Sequence, residues 1–315
     1  MNYREAAALL AGQDNILILT HKRPDGDTIG CAAGLCAGLR RLGKSAFVLP
    51  NLDATSLLAP YLEGYLAAPD FIPDFVVSVD IAGRSLFGEN ALPYLEAGID
   101  LALDHHPSNE GFAKENCVDG GRAACGELIY DMLCLWATPD SAAALPLYVA
   151  LSTDTGCFMY ANTSPATHRI AAALMETGID YTAVNKRHFR TKSFKRLQLE
   201  RMLTQQLELF DGGETAIVTV TLAMLAELNA KDEDSEDIAA FVAQVEGASA
   251  AVTIREVSDR ECKMSVRTTV GLNASDICAQ MGGGGHAGAA GCAVKVGVAE
   301  AKALVLAAIG RVRHG

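Results

Sequence analysis

The first half of the chain contains short, almost continuously apolar segments that end in acidic residues or histidine. They occupy residues 15–20 (NILILT), 45–50, 74–80 (DFVVSVD) and 99–106 (IDLALDHH). Strands this apolar lack the alternation of a half-exposed sheet, and they are typical of a parallel sheet covered on both faces. The pattern therefore predicts a doubly wound, mostly parallel α/β domain for this part of the chain.

Segments with helical periodicity separate and follow the apolar strands. They predict helices at 28–43, 123–136, 141–153 and 164–178. Residues 193–210 contain neither Gly nor Pro and predict a long connecting helix. Beyond it, we expect strands at 215–220, 249–257 and 263–269, with helices at 221–229, 235–246, 274–281 and 298–313. The predicted organisation is a first domain at 1–190, a helical linker at 191–211 and a smaller α+β domain at 212–315.

Composition excludes several classes of protein. Half of the 315 residues are hydrophobic, which excludes a disordered chain, and the net charge is −12. This acidic balance argues against long duplex nucleic acid as a partner, because Lys and Arg normally neutralise its phosphates. No apolar stretch is long enough to predict a membrane span. The nine cysteines form no CxxC pair, which favours reduced, buried thiols over a zinc site. We therefore expect a cytoplasmic protein, which could form a homodimer.

Candidate functional residues cluster where the predicted strands and one predicted helix end. In an open α/β sheet, ligands bind beyond the carboxyl ends of the strands. The residues found at such ends are His21, Asp25, Asp27, Asp80, Asp104, His105, His106 and, after the segment 142–152, Asp154. Each motif alone is common, as a turn or a helix cap, but four of them at successive ends within one domain indicate a shared site.

The chemistry of this predicted site is limited by its charge. Several carboxylates in one pocket repel each other unless they are protonated or bind cations. Two divalent ions would resolve the repulsion, and oxygen and imidazole ligands without thiolate favour Mn²⁺, with Co²⁺, Fe²⁺ or Mg²⁺ as alternatives. Gly26, between Asp25 and Asp27, would allow a tight turn that directs both carboxylates inward. Such a pair of ions activates water for hydrolysis of a phosphate ester.

These motifs resemble those of the DHH phosphoesterase family. The first motif reads HKRPDGD at 21–27, the strand-end aspartate is Asp80, the triplet is 104–106, and STDTG stands at 152–156. In the second half, GGGGHAGAAG at 282–291 and SVRTT at 265–269 are similar to motifs of the DHHA1 domain. The resemblance covers essentially the whole chain, and its length and layout are most similar to the nanoRNase and pAp phosphatase type.

The resemblance implies a role for each of these residues. His21, Asp25 and Asp80 would hold one metal ion. Asp27, Asp80, His105 and Asp154 would hold the second, so that Asp80 bridges the two. His106 would contact the scissile phosphate or support the ligands, Asp104 would orient the two histidines, and Arg84 would meet the substrate. The sequence alone does not decide which of His105 and His106 is the ligand.

The second domain supplies candidate substrate-binding residues. Arg267 could form a bidentate contact with phosphate, and His286 could bind a terminal phosphate or a base. Gly283, Gly284 and Gly285 belong to a glycine run that is either a structural turn or a backbone surface for close approach of phosphate. We favour the second interpretation, because four successive glycines are entropically unfavourable. Arg255 is equally well explained as a solvated strand residue.

The predicted function is hydrolysis of short oligoribonucleotides, of 3′-phosphoadenosine 5′-phosphate (pAp), or of both. A site bounded by a second domain suits a small nucleotide or short single-stranded RNA or DNA. The main alternative is a phosphodiesterase for cyclic dinucleotides such as c-di-AMP. A processive single-strand exonuclease would need further domains, and the glycine-rich motif argues against a pyrophosphatase. A nucleotide-binding protein with a decayed site is disfavoured, because every expected ligand position holds a competent residue.

Overall fold

The computed structural model describes residues 1–235, 238–269 and 271–314. The chain forms two compact units, Met1–Thr191 and Lys192–Gly315. The observed architecture is the expected one: a parallel α/β sheet in the first unit and a mixed sheet in the second.

The first unit alternates strands and helices, as its sequence predicts. Its elements are α1 (Tyr3–Ala11), β1 (Ile16–Leu19), α2 (Gly26–Arg41), β2 (Ala46–Val48), β3 (Phe75–Val79), α3 (Leu92–Ala97), β4 (Leu101–Asp104), β5 (Glu115–Val118), α4 (Cys125–Trp136), α5 (Ser141–Asp154), α6 (Pro165–Glu176) and α7 (Tyr181–Asn185). The predicted helices and strands are confirmed with small shifts of their ends. The short strand β5 was not predicted, because its sequence, ENCV, is only partly apolar.

The five strands of this unit form one parallel sheet in the order β2-β1-β3-β4-β5. The direction of winding reverses between β1 and β3, which makes their carboxyl ends the topological switch point where open α/β sheets bind ligands. Both faces of the sheet are buried: Ile16 and Ile18 pack on the side of α2, α4 and α5, while Leu17 and Leu19 pack on the other side. This burial on both faces explains why β1 is continuously apolar.

Helix α2 leads from the switch point into the core and is buried along most of its length. It packs closely against α5. A Cβ atom at Gly30 would lie 2.2 Å from the backbone oxygen of Pro146, and one at Gly26 would lie 2.3 Å from Oγ1 of Thr153. The glycines therefore bring the beginning of α2 next to the end of α5. Gly26 does not have a positive φ, so close packing of the two helices, rather than the expected tight turn, explains the glycine.

The second unit is an α+β structure. Its elements are α8 (Phe194–Gln205), β6 (Glu208–Phe210), β7 (Thr215–Val220), α9 (Leu222–Glu227), α10 (Ile238–Val242), β8 (Ala250–Ser258), β9 (Glu261–Thr268), α11 (Ala274–Ala279), β10 (Gly284–His286), β11 (Ala289–Val294) and α12 (Val298–His314). Its six strands have the order β10-β11-β9-β8-β7-β6. The predicted helix at 235–246 corresponds to α10, and positions 236 and 237 lie outside the described residues.

The two faces of this mixed sheet are covered differently. One face packs on α11 and α12 around Val252, Met264 and Ile277. On the other face, α8, α9 and α10 cover β7 and β8, where Val218 and Ala251 are buried. The same face of β9, β11 and β10 carries residues that are partly or fully exposed, among them Lys263, Arg267, Gly291 and His286. Within the second unit, this side of the sheet is therefore an open surface.

The segment expected as a helical linker differs from the prediction in two ways. Helix α8 ends at Gln205, and Glu208–Phe210 forms β6, paired antiparallel with β7. In addition, Leu199 and Leu203 of α8 are fully buried with residues of β7. The helix therefore belongs to the second unit and is not a free-standing connector.

Two short strands of the glycine-rich region also differ from the prediction. The run expected as a loop at 282–285 extends into β10, which pairs antiparallel with β11. The alternation of small residues in β11, AAGCAV, is too weakly apolar to predict a strand from sequence. Small residues occupy the exposed positions of β11, and these positions lie on the open surface described above.

Candidate active site

The functional side chains predicted from the sequence converge at the carboxyl ends of the strands in the first unit. Three sets of ligand atoms lie within 4.8 Å of one another: His21 with Asp25 and Asp80; Asp27 with His105 and Asp154; and Asp80 with His105 and His106. The site thus lies at the switch point between β1 and β3 and extends to the end of α5.

Asp25 and Asp27 are positioned by the beginning of α2. Asp25 is the N-cap residue, and its carboxylate accepts hydrogen bonds from the backbone N–H groups of Asp27 and Thr28. This is the usual way in which an aspartate satisfies the first amides of a helix. The hydroxyl of Thr28 donates to the backbone oxygen of Val79 at 3.0 Å. The helix and the end of β3 are therefore held together at the site.

Asp27 is buried and receives two further amides from the beginning of α4. Its Oδ2 accepts a hydrogen bond from the backbone N–H of Cys125 at 2.7 Å, and its Oδ1 accepts one from Gly126 at 3.0 Å. The first amides of a helix favour a negative charge. They leave Oδ2 facing Nε2 of His105 at 3.7 Å. Helix α4 therefore fixes one carboxylate oxygen toward the cluster.

Asp80 lies at the centre of the cluster and in a backbone conformation that is rare for residues other than glycine. It follows β3 with φ of +57°, and its side chain is 2% exposed. Its Oδ1 lies 3.6 Å from Nε2 of His105, and its Oδ2 lies 3.8 Å from Nε2 of His21. The two oxygens of one carboxylate thus face two different ligand sets. Residues other than glycine that are held in the left-handed conformation concentrate at functional sites.

His21 and His105 present the same ring nitrogen to the carboxylates. Nδ1 of His21 is hydrogen bonded to the backbone oxygen of Lys22 at 2.9 Å, and Nδ1 of His105 to that of Arg122 at 3.1 Å. Because Nδ1 must donate to a carbonyl, Nε2 keeps its lone pair and faces the carboxylates. A ligand histidine is commonly oriented in this way by a backbone carbonyl.

His106 is oriented differently from His105. Its Nδ1 donates to Oδ1 of Asp104 at 2.8 Å, which directs Nε2 away from Asp104. The same oxygen accepts the backbone amides of both histidines, while Oδ2 accepts from Asn109 at 2.7 Å. Asp104 therefore fixes the histidine pair. His105 has the geometry of a ligand and His106 that of a partly exposed side chain beside the cluster.

Burial and the charge of neighbouring groups raise the pKa values of Asp27, Asp80 and Asp154, whereas His21 and the amides of Thr28 and Asp27 outweigh desolvation and lower the pKa of Asp25 to about 2. Burial, followed by the charge of Asp27, raises the pKa of Asp154 to about 8. Burial and the neighbouring carboxylates also raise the pKa of Asp80 well above its usual range. Burial alone would lower the pKa of His105, but the carboxylates of Asp27 and Asp154 raise it above its usual value. Without a cation, these carboxylates favour the protonated state.

The geometry fits a pair of divalent cations. Most of the separations between facing ligand atoms are 3.5–3.8 Å, longer than hydrogen bonds. Two atoms that are each about 2.1 Å from one ion lie about 3.0–4.2 Å apart, depending on the angle between their bonds to the ion, and the observed separations fall in this range. The buried Oδ1 of Asp80 has no hydrogen-bond partner among the described residues, as expected for an oxygen that binds a cation. Oxygen and imidazole donors without thiolate suit Mn²⁺ or a similar ion.

Arg267 and His286 lie on the open surface of the second unit. Arg267 on β9 is paired with Ala289 on β11, and Ala289 is paired with His286 on β10. Directly paired residues project from the same face of a sheet. Across two strand spacings, Arg267 and His286 therefore flank Ala289 at a separation of roughly 10 Å.

Gly283, which directly precedes β10, and the two glycines within β10 have different structural roles. A Cβ at Gly283 would lie 2.2 Å from the backbone oxygen of Gly291, and Gly285 has φ of +149° with Ala289 and Ala290 in close contact. Close packing against β11 therefore explains Gly283 and Gly285. Gly284 has no atom within 4 Å of a Cβ position and no positive φ. At Gly284 alone in this strand, nothing in the fold requires glycine.

Gly284 belongs to a second row of small residues on the open surface. It is paired with Gly291, and Gly291 is paired with Ser265. The next row contains Ala293 and Lys263, with Arg255 beyond them on β8. The surface is therefore nearly flat at its centre and carries basic side chains at both ends.

Arg84 lies in the first unit, in a short helical turn at Arg84–Leu86, and is exposed. Its backbone N–H donates to Oε2 of Glu110, and its guanidinium makes a long contact of 3.4 Å with the backbone oxygen of Phe112.

Two asparagines that support residues of the cluster were not predicted from the sequence. Asn109 holds Asp104, and Asn162 holds the backbone oxygen of Asp154 at 3.1 Å. Both follow a site residue within eight positions, which is the only sequence signal for them.

A parallel sheet with a switch-point cluster of aspartates and histidines is typical of metal-dependent hydrolases. Residues 15–151 match the N-terminal domain of the DHH family, and residues 214–312 match the DHHA1 domain. The chain therefore belongs to the DHH family of phosphoesterases with a DHHA1 domain, and it is a hydrolase of phosphate ester bonds.

Relatives with similar sequence extend over almost the whole chain. The chain is 32% identical over 292 residues to the bifunctional oligoribonuclease and PAP phosphatase NrnA of Thermus thermophilus, covering 92% of this chain and 87% of the relative. It is 25% identical to the probable enzyme of the same name from Streptococcus mutans, with 92% of each chain covered.

A solved structure shows the same fold. An exopolyphosphatase-related protein from Bacteroides fragilis superposes with a TM-score of 0.88 at 21% sequence identity, covering 99% of this chain and 96% of that one.

None of the helices in the described part of this chain combines the length and hydropathy that a bilayer crossing requires.

Proposed function

We propose that this protein hydrolyses short oligoribonucleotides and pAp at a site that holds two divalent cations. The observation that carries the proposal is the position of Asp80, whose two carboxylate oxygens face separate ligand sets. The relatives from T. thermophilus and S. mutans, which are named for both activities, support this choice of substrates.

In the proposed assignment, the residues of the site fall into two ligand sets that share Asp80. His21 and Asp25 complete one set, and Asp27, His105 and Asp154 complete the other. Mn²⁺ is the proposed ion, because the donors are oxygen and imidazole. When bound, such an ion pair supplies a nucleophilic water and stabilises negative charge on the phosphate.

The remaining residues of the cluster position these ligands and the substrate. The amides of α4 hold Asp27, and the carbonyls of Lys22 and Arg122 hold the ligand histidines. We propose that Nε2 of His106, oriented through Nδ1 by Asp104, contacts the scissile phosphate. Arg84, exposed in its turn, is proposed to contact the substrate as well.

The open surface of the second unit is the proposed binding site for the rest of the substrate. Arg267 offers the planar guanidinium that binds phosphate in two places, and His286 shares its face. Gly283 and Gly285 shape the backbone there, and Gly284 leaves the centre flat. Such a surface would bind a phosphate and a sugar or base lying on it.

The protein's cysteines are consistent with a cytoplasmic enzyme, which we propose. All nine are unpaired, and most are buried. Unpaired thiols in this number are typical of a reducing compartment.

The substrate proposal is tested with purified protein, Mn²⁺ and four compounds: pAp, the dinucleotide pApA, a five-nucleotide RNA and c-di-AMP. We expect hydrolysis of pAp to AMP and of both RNAs to mononucleotides, with no activity after chelation of the metal. Preference for c-di-AMP would instead assign the protein to the turnover of cyclic dinucleotides. Turnover of none of the four would contradict the proposal.

A further inference from the structure

The carboxylate of Asp27 accepts a hydrogen bond from a cysteine thiol in addition to the two amides of α4. Sγ of Cys31 lies 3.1 Å from Oδ1 of Asp27, and the Cys31 side chain is fully buried. An ionised carboxylate has no proton to donate, so the thiol is the donor in this bond. Cys31 therefore contacts a residue of the metal-binding cluster directly, through a polar interaction.

The packing of α2 places this thiol next to Asp27. Cys31 follows Asp27 by four residues, and side chains with this spacing are neighbours on one face of a helix. Gly30, the residue before Cys31, packs so closely against α5 that a Cβ atom there would lie 2.2 Å from the backbone oxygen of Pro146. Rotation of α2 about its axis is thus blocked, and the distance between the thiol and the carboxylate is set by the fold.

A second buried thiol lies beside the first but does not take its place. The Cys125 thiol contacts that of Cys31, and its own proton is donated to the backbone oxygen of Leu103 at 3.4 Å. A thiol sulfur is only a weak acceptor, whereas a carboxylate is a strong one. The proton of Cys31 is therefore directed to Asp27.

The two oxygens of Asp27 are used differently as a result. Oδ1 accepts from the thiol of Cys31 and from the amide of Gly126 at 3.0 Å, which fills both of its lone pairs. Oδ2 accepts one amide, from Cys125 at 2.7 Å, and faces Nε2 of His105 at 3.7 Å. Only Oδ2 keeps a lone pair for a cation.

We propose that Cys31 is a positioning residue for one of the two metal ions, because its thiol holds Oδ1 of Asp27 and leaves Oδ2 as the single ligand atom. The inference rests on the proposed function, since it needs the two ions of the cluster. Loss of a group that holds a metal ligand typically weakens metal binding by about 10- to 100-fold. Asp27 belongs to the ligand set of His105 and Asp154, so loss of the thiol should weaken that ion and spare the other.

The test is a calorimetric titration of the metal-free protein with Mn²⁺, which gives a dissociation constant for each ion. Cys31→Ala should raise one of the two dissociation constants by about 10- to 100-fold and leave the other almost unchanged. Cys31→Ser retains a hydrogen-bond donor at this position and should keep both constants close to those of the wild type.

Cys36→Ala is the matched control for the loss of a buried thiol. Cys36 is also a fully buried residue of α2, and its thiol donates to the backbone oxygen of Ala46 at 3.1 Å. The substitution therefore removes the same atoms from the same helix without touching Asp27. Both dissociation constants should stay at their wild-type values in Cys36→Ala.

A double-mutant cycle assigns the weakened ion to its ligand set. In His21→Ala, the ion held by Asp27, His105 and Asp154 keeps these three ligands, and addition of Cys31→Ala should weaken it. In Asp154→Ala, that ion has lost a ligand, and addition of Cys31→Ala should leave the binding of the other ion unchanged. Weakening of the other ion in the Asp154→Ala background would contradict the assignment.

An infrared measurement tests the contact even if the alanine variant does not fold. The S–H stretching band lies apart from the other bands of a protein, and subtraction of the Cys31→Ser spectrum from the wild-type spectrum isolates the band of Cys31. Because Mn²⁺ changes the charge of the carboxylate that accepts this proton, the band should shift when metal is added. The band isolated in the same way with Cys36→Ser should not shift.

The outcomes distinguish the inference from the function on which it rests. Unchanged dissociation constants in Cys31→Ala, an equal loss of affinity in Cys31→Ser, or a Cys31 band that does not respond to Mn²⁺ would each overturn the positioning role alone. Failure of the wild-type protein to bind two Mn²⁺ ions would instead contradict the proposed function.

Discussion

The metal-binding edge of the first unit and the open surface of the second unit are built in opposite ways. At the edge, Asp27 and Asp80 are almost completely buried, and hydrogen bonds from or to the backbone hold the carboxylate of Asp27 and the ring of His105. On the open surface, Gly284 and His286 are exposed, and the centre is made of glycine, alanine and serine.

This difference corresponds to two tasks. Chemistry on a phosphate needs charges fixed to within fractions of an ångström, which only buried and hydrogen-bonded groups provide. Recognition of a short substrate needs an accessible surface with a few charged contacts. We therefore expect changes at the edge to act on kcat by orders of magnitude, and changes on the open surface to act mainly on KM.

The largest effect is expected for Asp80→Asn. The change keeps the size of the side chain but weakens a ligand of both proposed ions, so kcat should fall by about 10³-fold or more. The metal-free variant should also be more stable than wild type at neutral pH, because a buried carboxyl whose pKa is raised by burial and by its neighbours is removed. Activity assays and urea melts measure the two effects. Asp70→Asn, at an exposed position, is the control, and nearly full activity in Asp80→Asn would refute the shared ligand.

Variants of the two adjacent histidines should separate binding from chemistry. His105→Ala should lose bound Mn²⁺ together with activity, since Nε2 of His105 faces three carboxylates. His106→Ala should retain its metal and lose about 10²- to 10⁴-fold in kcat, the usual range for a group that acts directly on the reaction. Metal content and kcat are measured together. Loss of bound metal in His106→Ala but not in His105→Ala would show that His106 is the ligand and His105 acts on the reaction.

Removal of a phosphate contact from the open surface should have a smaller effect of a different kind. Arg267→Ala should raise KM for pApA by about 10- to 100-fold with kcat almost unchanged, because a charged hydrogen bond contributes about 1.5–3 kcal/mol. Arg267→Lys should recover only part of the loss, since lysine cannot bind two phosphate oxygens in one plane. Arg260→Ala, in the exposed turn after β8, serves as control. An unchanged KM in Arg267→Ala would remove Arg267 from the binding surface.

Gly284 of β10 and Gly283, which directly precedes that strand, provide a matched pair with the smallest expected effects. Gly284→Ala meets no atom in the fold, so it should leave the free energy of unfolding unchanged and raise KM a few-fold if substrate lies on this backbone. Gly283→Ala would collide with β11 and should destabilise the second unit by about 1–3 kcal/mol. Thermal melts measure the stability of both variants, and steady-state kinetics measure their KM values. Loss of stability in Gly284→Ala with KM unaltered would favour a purely structural run of glycines.

Stability of the metal-free protein should depend on pH in a direction opposite to that of most acidic groups. The pKa of Asp154 is raised from its usual value to about 8 in the folded state, so the native state binds a proton that the unfolded state has already released. Stability from this group is therefore present at low pH and is lost as pH rises from about 4 to about 8. Bound Mn²⁺ should cancel the trend. Urea melts across this pH range, with and without metal, measure how stability changes with pH. A rise in the stability of the metal-free protein over this range would contradict the prediction.

The sequence predicted the edge far better than the open surface, for physical reasons. Strands buried on both faces, such as β1 and β3, are continuously apolar, so their ends locate His21 and Asp80. The choice between His105 and His106 depends on which acceptor each Nδ1 meets, and the carbonyl of Arg122 comes from a distant segment. That information is absent from the local sequence.

On the open surface, the signals that reveal strands are missing. β11 consists mostly of small residues, so its alternation carries little hydropathy, and β10 is almost entirely glycine. Only the pairing with β11 shows that Gly283 and Gly285 satisfy packing, whereas Gly284 does not. The left-handed backbone of residues 156–158 could likewise not be predicted from the sequence. Of these residues, only Gly156 is of a type that favours this conformation.

The number and coupling of the bound ions show whether two ions share the carboxylate of Asp80. Metal-free protein is titrated with Mn²⁺ while bound metal is counted and the electron paramagnetic resonance spectrum is recorded. We expect two ions per chain with an exchange-coupled spectrum, because a shared Asp80 carboxylate would hold them roughly 3.5–4 Å apart. A single bound ion, or two ions with uncoupled spectra, would contradict this expectation.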